Sequence, residues 1–416
     1  MAFQQGLSGL NAAARHLDTI GHNVANASTV GFKASRAEFA DVYATTVYGV
    51  SNVSPGIGTE VGAIAQQFSQ GALTTTNNSL DLGINGGGFF RMSDNGGAIT
   101  YTREGQFKLD KSGYIVNASG KRLTGYPVDK NGVVTNGTAQ DLKLDSTDIA
   151  PKATTSAAVR VNVARATTPA NAFTLTDAKT YDGGTSVSVF DSLGREHVMA
   201  MYFRKTGDNS WDVHGTLDGE PLNGGAAVGK LAFNPNGTLK GASDGNGDPT
   251  TSNVMTFDVS LNMGADAGGN HTVSVNFADT TQFGTNFTVA HQEQNGNGSG
   301  KLAGFSVGRD GSLMARYTNG QTVSKGRVAL ANFTNPQGLQ PLGGNQWGET
   351  ADSGAPLVGS PSTGTLGVIQ SGALESSNVD LTQELVNMIT AQRVYQANAQ
   401  TVRTHDQLLQ TIVNLR

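Results

Sequence analysis

Two apolar stripes, one at each end of the chain and both with a period of 3.5 residues, constrain this sequence more than anything between them. The C-terminal stripe runs through Leu381, Leu385, Met388, Gln392, Tyr395, Ala399, Val402, Asp406, Leu409 and Val413, and eight of these ten positions are apolar. That period belongs to a helical seam, not to a strand. No Pro or Gly falls between Asp380 and Arg416. Asp380 is placed to act as N-cap, with Gln383 three residues on to complete a capping box. At 1.5 Å per residue such a helix reaches roughly 55 Å. At the other end the same stride picks out Phe3, Leu7, Leu10, Ala14, Leu17, Gly21 and Val24, six of the seven apolar. A rod cannot bury its stripe alone, so both are read as seams packing within one molecule and between molecules. The blander reading is a terminal hairpin that closes a single domain.

The residues between these helices have a different character. Charged residues make up only 15% of the chain, against roughly 25% in ordinary soluble domains. Gly (55 residues), Asn, Ser and Thr take their place, which suits short strands joined by many turns. At 416 residues two or three domains are expected. The net charge is −5 with no basic run, so nucleic acid and anionic membrane have no electrostatic footprint to bind. No segment approaches the ~18 apolar residues of a spanning helix, so no membrane insertion is expected. The first residues lack a basic n-region and their apolar positions are periodic, unlike a cleaved signal peptide. Cysteine is absent, which excludes disulfide stapling and thiol catalysis.

A recurring unit marks the β region: an apolar strand end, Asp or Asn in a polar turn, then Gly, then another strand. It occurs at Phe107–Ile115, Val128–Val133, Phe233–Leu239 and Val307–Leu313, and Gly after Asx supplies the positive φ of a hairpin turn. Composition dips at 147–155 and 293–300 bracket a stretch with its own strands and turns. The expected fold class is multidomain α+β, with long coiled-coil-type terminal helices and two nested, mostly antiparallel β domains. The expected divisions are a terminal helical domain (1–32 with 375–416), a linker or extended arm (33–75 with 361–374), an inner β domain (76–151 with 293–360) and an inserted outer β domain (152–292).

Motifs for chemistry start and then fail. Gly224 to Lys230 has the spacing of a phosphate-binding loop, but Leu231 stands where the metal-binding Ser or Thr belongs. Asp244-Gly245-Asn246-Gly247-Asp248 opens like a calcium loop, yet Pro249 replaces the needed Gly and Met255 the bidentate Glu. A plain turn accounts for each better. The seven histidines show no metal-ligand spacing, and Trp211 and Trp347 read as core or interface aromatics. No catalytic, metal or cofactor residues are expected, and no enzyme.

Two motifs at opposite ends carry a family resemblance. The run Asn23-Val24-Ala25-Asn26-Ala27-Ser28-Thr29-Val30-Gly31-Phe32-Lys33 resembles the N-terminal signature of the bacterial flagellar rod and hook proteins, through Asn23, Asn26, Thr29, Gly31 and Phe32. Ala373 to Leu381, with Asn378 and Asp380, followed by Glu384–Ile389 and Gln392-Arg393-Val394-Tyr395-Gln396-Ala397-Asn398, resembles the family's C-terminal signature. Ile84–Phe90 is similar to the family as well, and Ala329–Leu339 to its hook branch. The resemblance implies a structural hook subunit that polymerises with itself into a flexible tube transmitting motor torque. It implies subunit packing through Phe3, Leu7, Leu10, Leu17, Val24, Leu381, Leu385, Met388, Tyr395, Val402, Leu409 and Val413, and no cofactor. Implied partners are the distal rod, hook–filament junction proteins, the hook cap and the export apparatus. The implied location is the flagellum, outside the cell, reached without a cleaved signal. A distal rod protein is the alternative within the family, although rod proteins lack an inserted outer domain. A secreted calcium- or carbohydrate-binding β protein on a coiled-coil stalk is the alternative from another class.

Overall fold

The computed structural model describes residues 2–42, 56–94, 96–129, 133–135, 137–145, 147–164, 171–249, 254–264, 266 and 269–414. The chain divides into two compact units, one of residues 1–146, 304–316 and 322–416, the other of 147–303 and 317–321.

The first unit holds the two terminal helices, α1 (Ala2–Ala25) and α2 (Leu381–Asn414). Helix α2 starts where Asp380 Oδ1 accepts the N–H groups of Thr382 at 2.9 Å and Gln383 at 3.1 Å. These are donors that the first turn of a helix leaves unpaired. The reciprocal half of the expected capping box is not made: Gln383 Nε2 donates forward to Asn387 Oδ1 at 3.1 Å. The stretches read as linker or extended arm contain strands among their described residues. Strands β1 (Ser35–Val42) and β2 (Gly58–Gln66) form an antiparallel hairpin with a bulge at Glu38/Phe39. It lies against α1, where Gln5 Nε2 donates to the Gly56 carbonyl and His16 meets the Phe39 ring at 5.8 Å. On the return path, Val368–Ser371 pairs with Leu82–Asn85 and Ala373–Glu375 with Leu73–Thr75.

Between the hairpin and α2 the unit is β. Its main sheet runs through Thr322–Val328, Arg122–Tyr126, Phe89–Ser93, Ile99–Thr102, Gln346–Gly348 and Gln340–Gly343. Alternation along these strands separates two cores. One contains Leu82, Phe90, Met92, Leu123, Leu330 and Ile369. The other is aromatic, with Phe89, Tyr101, Phe333 and Trp347 meeting edge to face. Three of the expected turns, two of them Asx–Gly and one Asp110-Lys111-Ser112-Gly113, have Gly237, Gly311 and Gly113 at φ 86°, 79° and 84°. In each, an Asx oxygen accepts the N–H two residues on: Asp110 from Ser112, Asn236 from Thr238, Asp310 from Ser312. The turn expected at Val128–Val133 falls partly outside the described residues.

The second unit is two sheets around one core. Five strands run in the order Gly183–Phe190, Glu196–Gly207, Ser210–Leu217, Gly229–Phe233 and Leu239–Asp244, with Glu220–Pro221 as a sixth beside Ser210–Leu217. The other sheet is Thr256–Asn262, Asn270–Asn276, Ser156–Asn162 and Thr288–Gln294, with its middle pair parallel. Trp211 is fully buried between them, and its Nε1 donates to Gln282 Oε1 at 3.0 Å. Asp191, also buried, accepts from Leu193 N (2.9 Å), Arg195 N (2.8 Å) and Arg195 Nε (2.7 Å). Burial alone would raise its pKa, but these donors hold its carboxyl below the ordinary aspartate range. A depressed folded-state pKa contributes stability above the unfolded value, about 3.9, and loses it as pH falls through the folded one. The contribution of Asp191 to the melting temperature of this unit is therefore expected to hold from pH 7 to 5 and to be lost below pH ~4. Asp191→Asn should melt lower at pH 7 and with a flatter acid profile, as read by calorimetry.

Candidate functional site

The helix pair is antiparallel, since Gly6 faces Val402, Gly9 faces Asn398 and Asn23 faces Glu384. Small residues make the contact. A Cβ on Gly6 would meet Val402 Cγ2 at 3.0 Å and one on Gly9 would meet Asn398 Oδ1 at 2.9 Å. Ala13 and Ile20 on α1 and Ala391 on α2 are buried along the same line. This row sits one residue before the stripe of large side chains, and one residue turns a helix by roughly 100°. The α1 stripe therefore lies to one side of the contact and opposite the face that holds the hairpin, while Val402 of the α2 stripe takes part in the contact through Gly6.

The large side chains are correspondingly open. Phe3 and Leu7 are each 45% exposed, Leu385 45% and Leu409 56%. Leu381 and Tyr395 are exposed as well, while Leu10, Leu17, Val24, Met388 and Val402 are half-buried. Val413 lies in α2, and its side chain is outside the described residues.

Below the helices the chain is tied by a buried ionic knot. Glu375 Oε1 is 2.7 Å from Lys33 Nζ, and Glu375 Oε2 is 3.0 Å from Arg103 Nη1. The three side chains are 0%, 1% and 5% exposed, respectively. Lys33 also donates to the Ser69 carbonyl at 2.7 Å, Arg103 to that of Gly86 at 2.8 Å, and the Gly71 N–H to Glu375 Oε1 at 2.9 Å. Arg103 Nε has no partner, and its guanidinium lies over the Phe89 ring at 5.4 Å. Burial pushes both cations below their ordinary pKa, and the Glu375 carboxylate pulls them back up. One carboxylate thus compensates two cations, one from the exit of α1, the other from the β domain. Sequence reasoning did not single out these residues, although Lys33 and Glu375 lie inside the two terminal motifs. Their charge in a chain so poor in charge was the available signal.

The motif residues surround this knot instead of forming the seam. Asn26 Nδ2 stops α1 by donating to the His22 carbonyl at 2.9 Å, and Thr29 Oγ1 donates to Asn26 Oδ1 at 3.3 Å. Gly31 has φ 69°, and a Cβ there would lie 2.6 Å from the Glu104 nitrogen, so no other residue fits without a shift. Phe32 is buried and its ring meets His22 at 5.3 Å. Asn23 bonds both backbone groups of Ser35 at 2.8 Å. Asn378 accepts from the Ala34 N–H and donates to the Gln67 carbonyl, both at 2.7 Å. Two asparagines thus clamp the hairpin to the two helices. Gln392 and Arg393 stand exposed on α2.

The near-miss motifs have structural occupations. Gly229 belongs to a strand whose backbone lies directly under the Phe257 ring, where a Cβ would collide. The Asp244 carboxylate accepts the N–H groups of Asn246 and Gly247 at 3.2 and 2.7 Å, an Asx turn. Among the described residues no group of three His, Cys, Asp or Glu is arranged to hold a metal ion, and no helix is long and apolar enough to cross a membrane.

Known proteins match along the whole chain. Residues 3–33 match the family described as flagella basal body rod protein, 83–164 the flagellar hook protein FlgE/F/G D1 domain, 160–297 the flagellar basal body protein FlaE D2 domain, and 370–415 the flagellar basal body rod FlgEFG protein C-terminal region. Flagellar hook protein FlgE of Escherichia coli K12 is 41% identical over 425 residues, covering 100% of both chains. That of Rhizobium meliloti is 35% identical over 420 residues, covering 99% of this chain and 98% of its own. A crystal structure of Helicobacter pylori flagellar hook protein FlgE2 aligns with a TM-score of 0.55 at 14% identity. It covers 73% of this chain and 100% of that one, a likeness of fold. Matched end to end by curated hook proteins at this identity, the chain belongs to the flagellar hook protein family.

Proposed function

We propose that this chain, a structural, self-polymerising subunit of the flagellar hook and not an enzyme, assembles through the large apolar side chains of its terminal helices, packed as coiled-coil seams between neighbouring copies. One observation carries the reading: Gly6 and Gly9 of α1 receive Val402 and Asn398 of α2, while Phe3, Leu7, Leu381, Leu385, Tyr395 and Leu409 stay open. Closing such a stripe against another copy stabilises assembly by about 25 cal/mol per Å² of apolar area buried. The β residues 152–292 then act as an outer layer, touching neighbours through surfaces rich in Gly, Asn and Thr. Polar contacts of that kind exchange at small cost, so the tube bends while its wall holds. Family membership supports the distal rod, junction proteins, cap and export apparatus as further partners. It also supports a place outside the cell, reached by export with the terminus intact.

Electron microscopy of the concentrated purified chain tests this. Long tubes are expected. A discrete small oligomer would favour a secreted β protein on a coiled-coil stalk and overturn the reading.

A further inference from the structure

Beside the small-residue contact of the two helices is a cavity of about 380 Å³, open to solvent between α1, α2 and the β1–β2 hairpin. Its lining includes Gly9, Ala12, Ala13 and Ala391, with Phe39 and Val394, and the polar His16, Thr59, Thr390 and Asn398. Phe39 is 42% exposed and Val394 48%, so two of its apolar lining residues are open to solvent on the hairpin side of the helix pair. No Asp, Glu, Lys or Arg lines it.

We infer that this notch receives the first two turns of α1 from a second copy of the chain, with Phe3 as the inserted side chain. The inference rests on the assembly reading above and specifies one contact within it. Charge selects the occupant: α1 carries no charged residue from Ala2 to Ala14, whereas the stripe of α2 contains the exposed Asp406 and is flanked by the exposed Arg393 and Arg403. Entering a notch with no carboxylate, ammonium or guanidinium desolvates no charged side chain of Ala2 to Ala14, and on the α2 side would desolvate Asp406 with Arg393 or Arg403 beside it. Phe3 is the one Phe on either terminal helix, and walls of Gly and Ala leave room for a ring. The ring cannot fill its own notch. Phe3 is ten residues, roughly 15 Å, from Ala13 along α1 and on another face.

Cysteine pairs read this out without background, because the chain has none. Thr390, on the rim and exposed, is changed to Cys together with Phe3→Cys, and assembled hooks are oxidised with copper phenanthroline. A link within one copy is excluded, since a disulfide needs Cα atoms within about 7 Å. The expected result is a ladder of dimers and higher multimers on a non-reducing gel. Hooks that assemble without a ladder overturn the inference, as does a ladder from Leu409→Cys with Thr390→Cys where the Phe3 pair is silent. If Phe3→Cys blocks assembly, Thr390→Cys alone decides: maleimide should label it in the monomer and several-fold more slowly in tubes. Equal labelling in both overturns the inference. Absence of tubes from the cysteine-free parent would instead count against the assembly reading itself.

Discussion

Glu375→Gln is expected to cost the helix-bearing unit about 3–5 kcal/mol, the range for removing one partner of a buried ion pair. The substitution keeps the shape of the side chain and removes its charge. Lys33 and Arg103, 1% and 5% exposed, then face each other with no anion between them. The two tryptophans make the measurement selective, because Trp347 lies in this unit and Trp211 in the other. In a Trp211→Phe background, the urea midpoint followed by Trp347 fluorescence should fall by at least about 1 M, given m-values of about 1–3 kcal/mol per M. Lys33→Met should cost less, since it leaves Arg103 and Glu375 matched one to one. Combined with Glu375→Gln it should recover part of the loss, because only one buried cation remains uncompensated. A Glu375→Gln protein as stable as its parent, or a double variant no better than the single, would show that the knot is not electrostatic.

Leu385→Asp separates folding from assembly. Leu385 is 45% exposed in the single chain, and exposed substitutions usually change stability by no more than about 0.5 kcal/mol. The folded subunit is therefore expected to melt as the parent does. In a closed seam the same carboxylate loses its water, at a cost of several kcal/mol unless it is paired. Cells carrying Leu385→Asp should secrete soluble subunits and build no hooks, as seen by immunoblot of the medium and electron microscopy of the cells. Normal hooks would falsify the seam assignment, and a lowered monomer melt would place Leu385 in the fold instead.

What the sequence disclosed was local. The helices could be read because their period is carried by neighbours three and four residues apart, and three turns because an Asx and a Gly within four residues mark a hairpin by themselves. The Asp380 cap was legible for the same reason. Its reciprocal partner was not, since Gln383 had a competing acceptor one turn on in Asn387. Of the stripe, Val402 lies at the contact between the helices; the close approach of Gly6 and Gly9 went unread because a seam pattern favours large side chains. The knot was beyond reach because it joins residues 342 and 272 apart. The pairing of Ser35–Val42 with Gly58–Gln66, and of Val368–Ser371 with Leu82–Asn85, joins strands that composition does not mark.

The sequence separation inside the knot also sets a clock. A ribosome adds roughly 5–20 residues per second, so after Lys33 is made, Glu375 follows only some 20–70 s later. Through that interval Lys33 and Arg103 can stay in water, and α1 has no α2 to lie against. The nascent chain thus has a long period in which its leading segment is available to whatever carries it, and the arrival of Glu375, with α2 close behind, ends it.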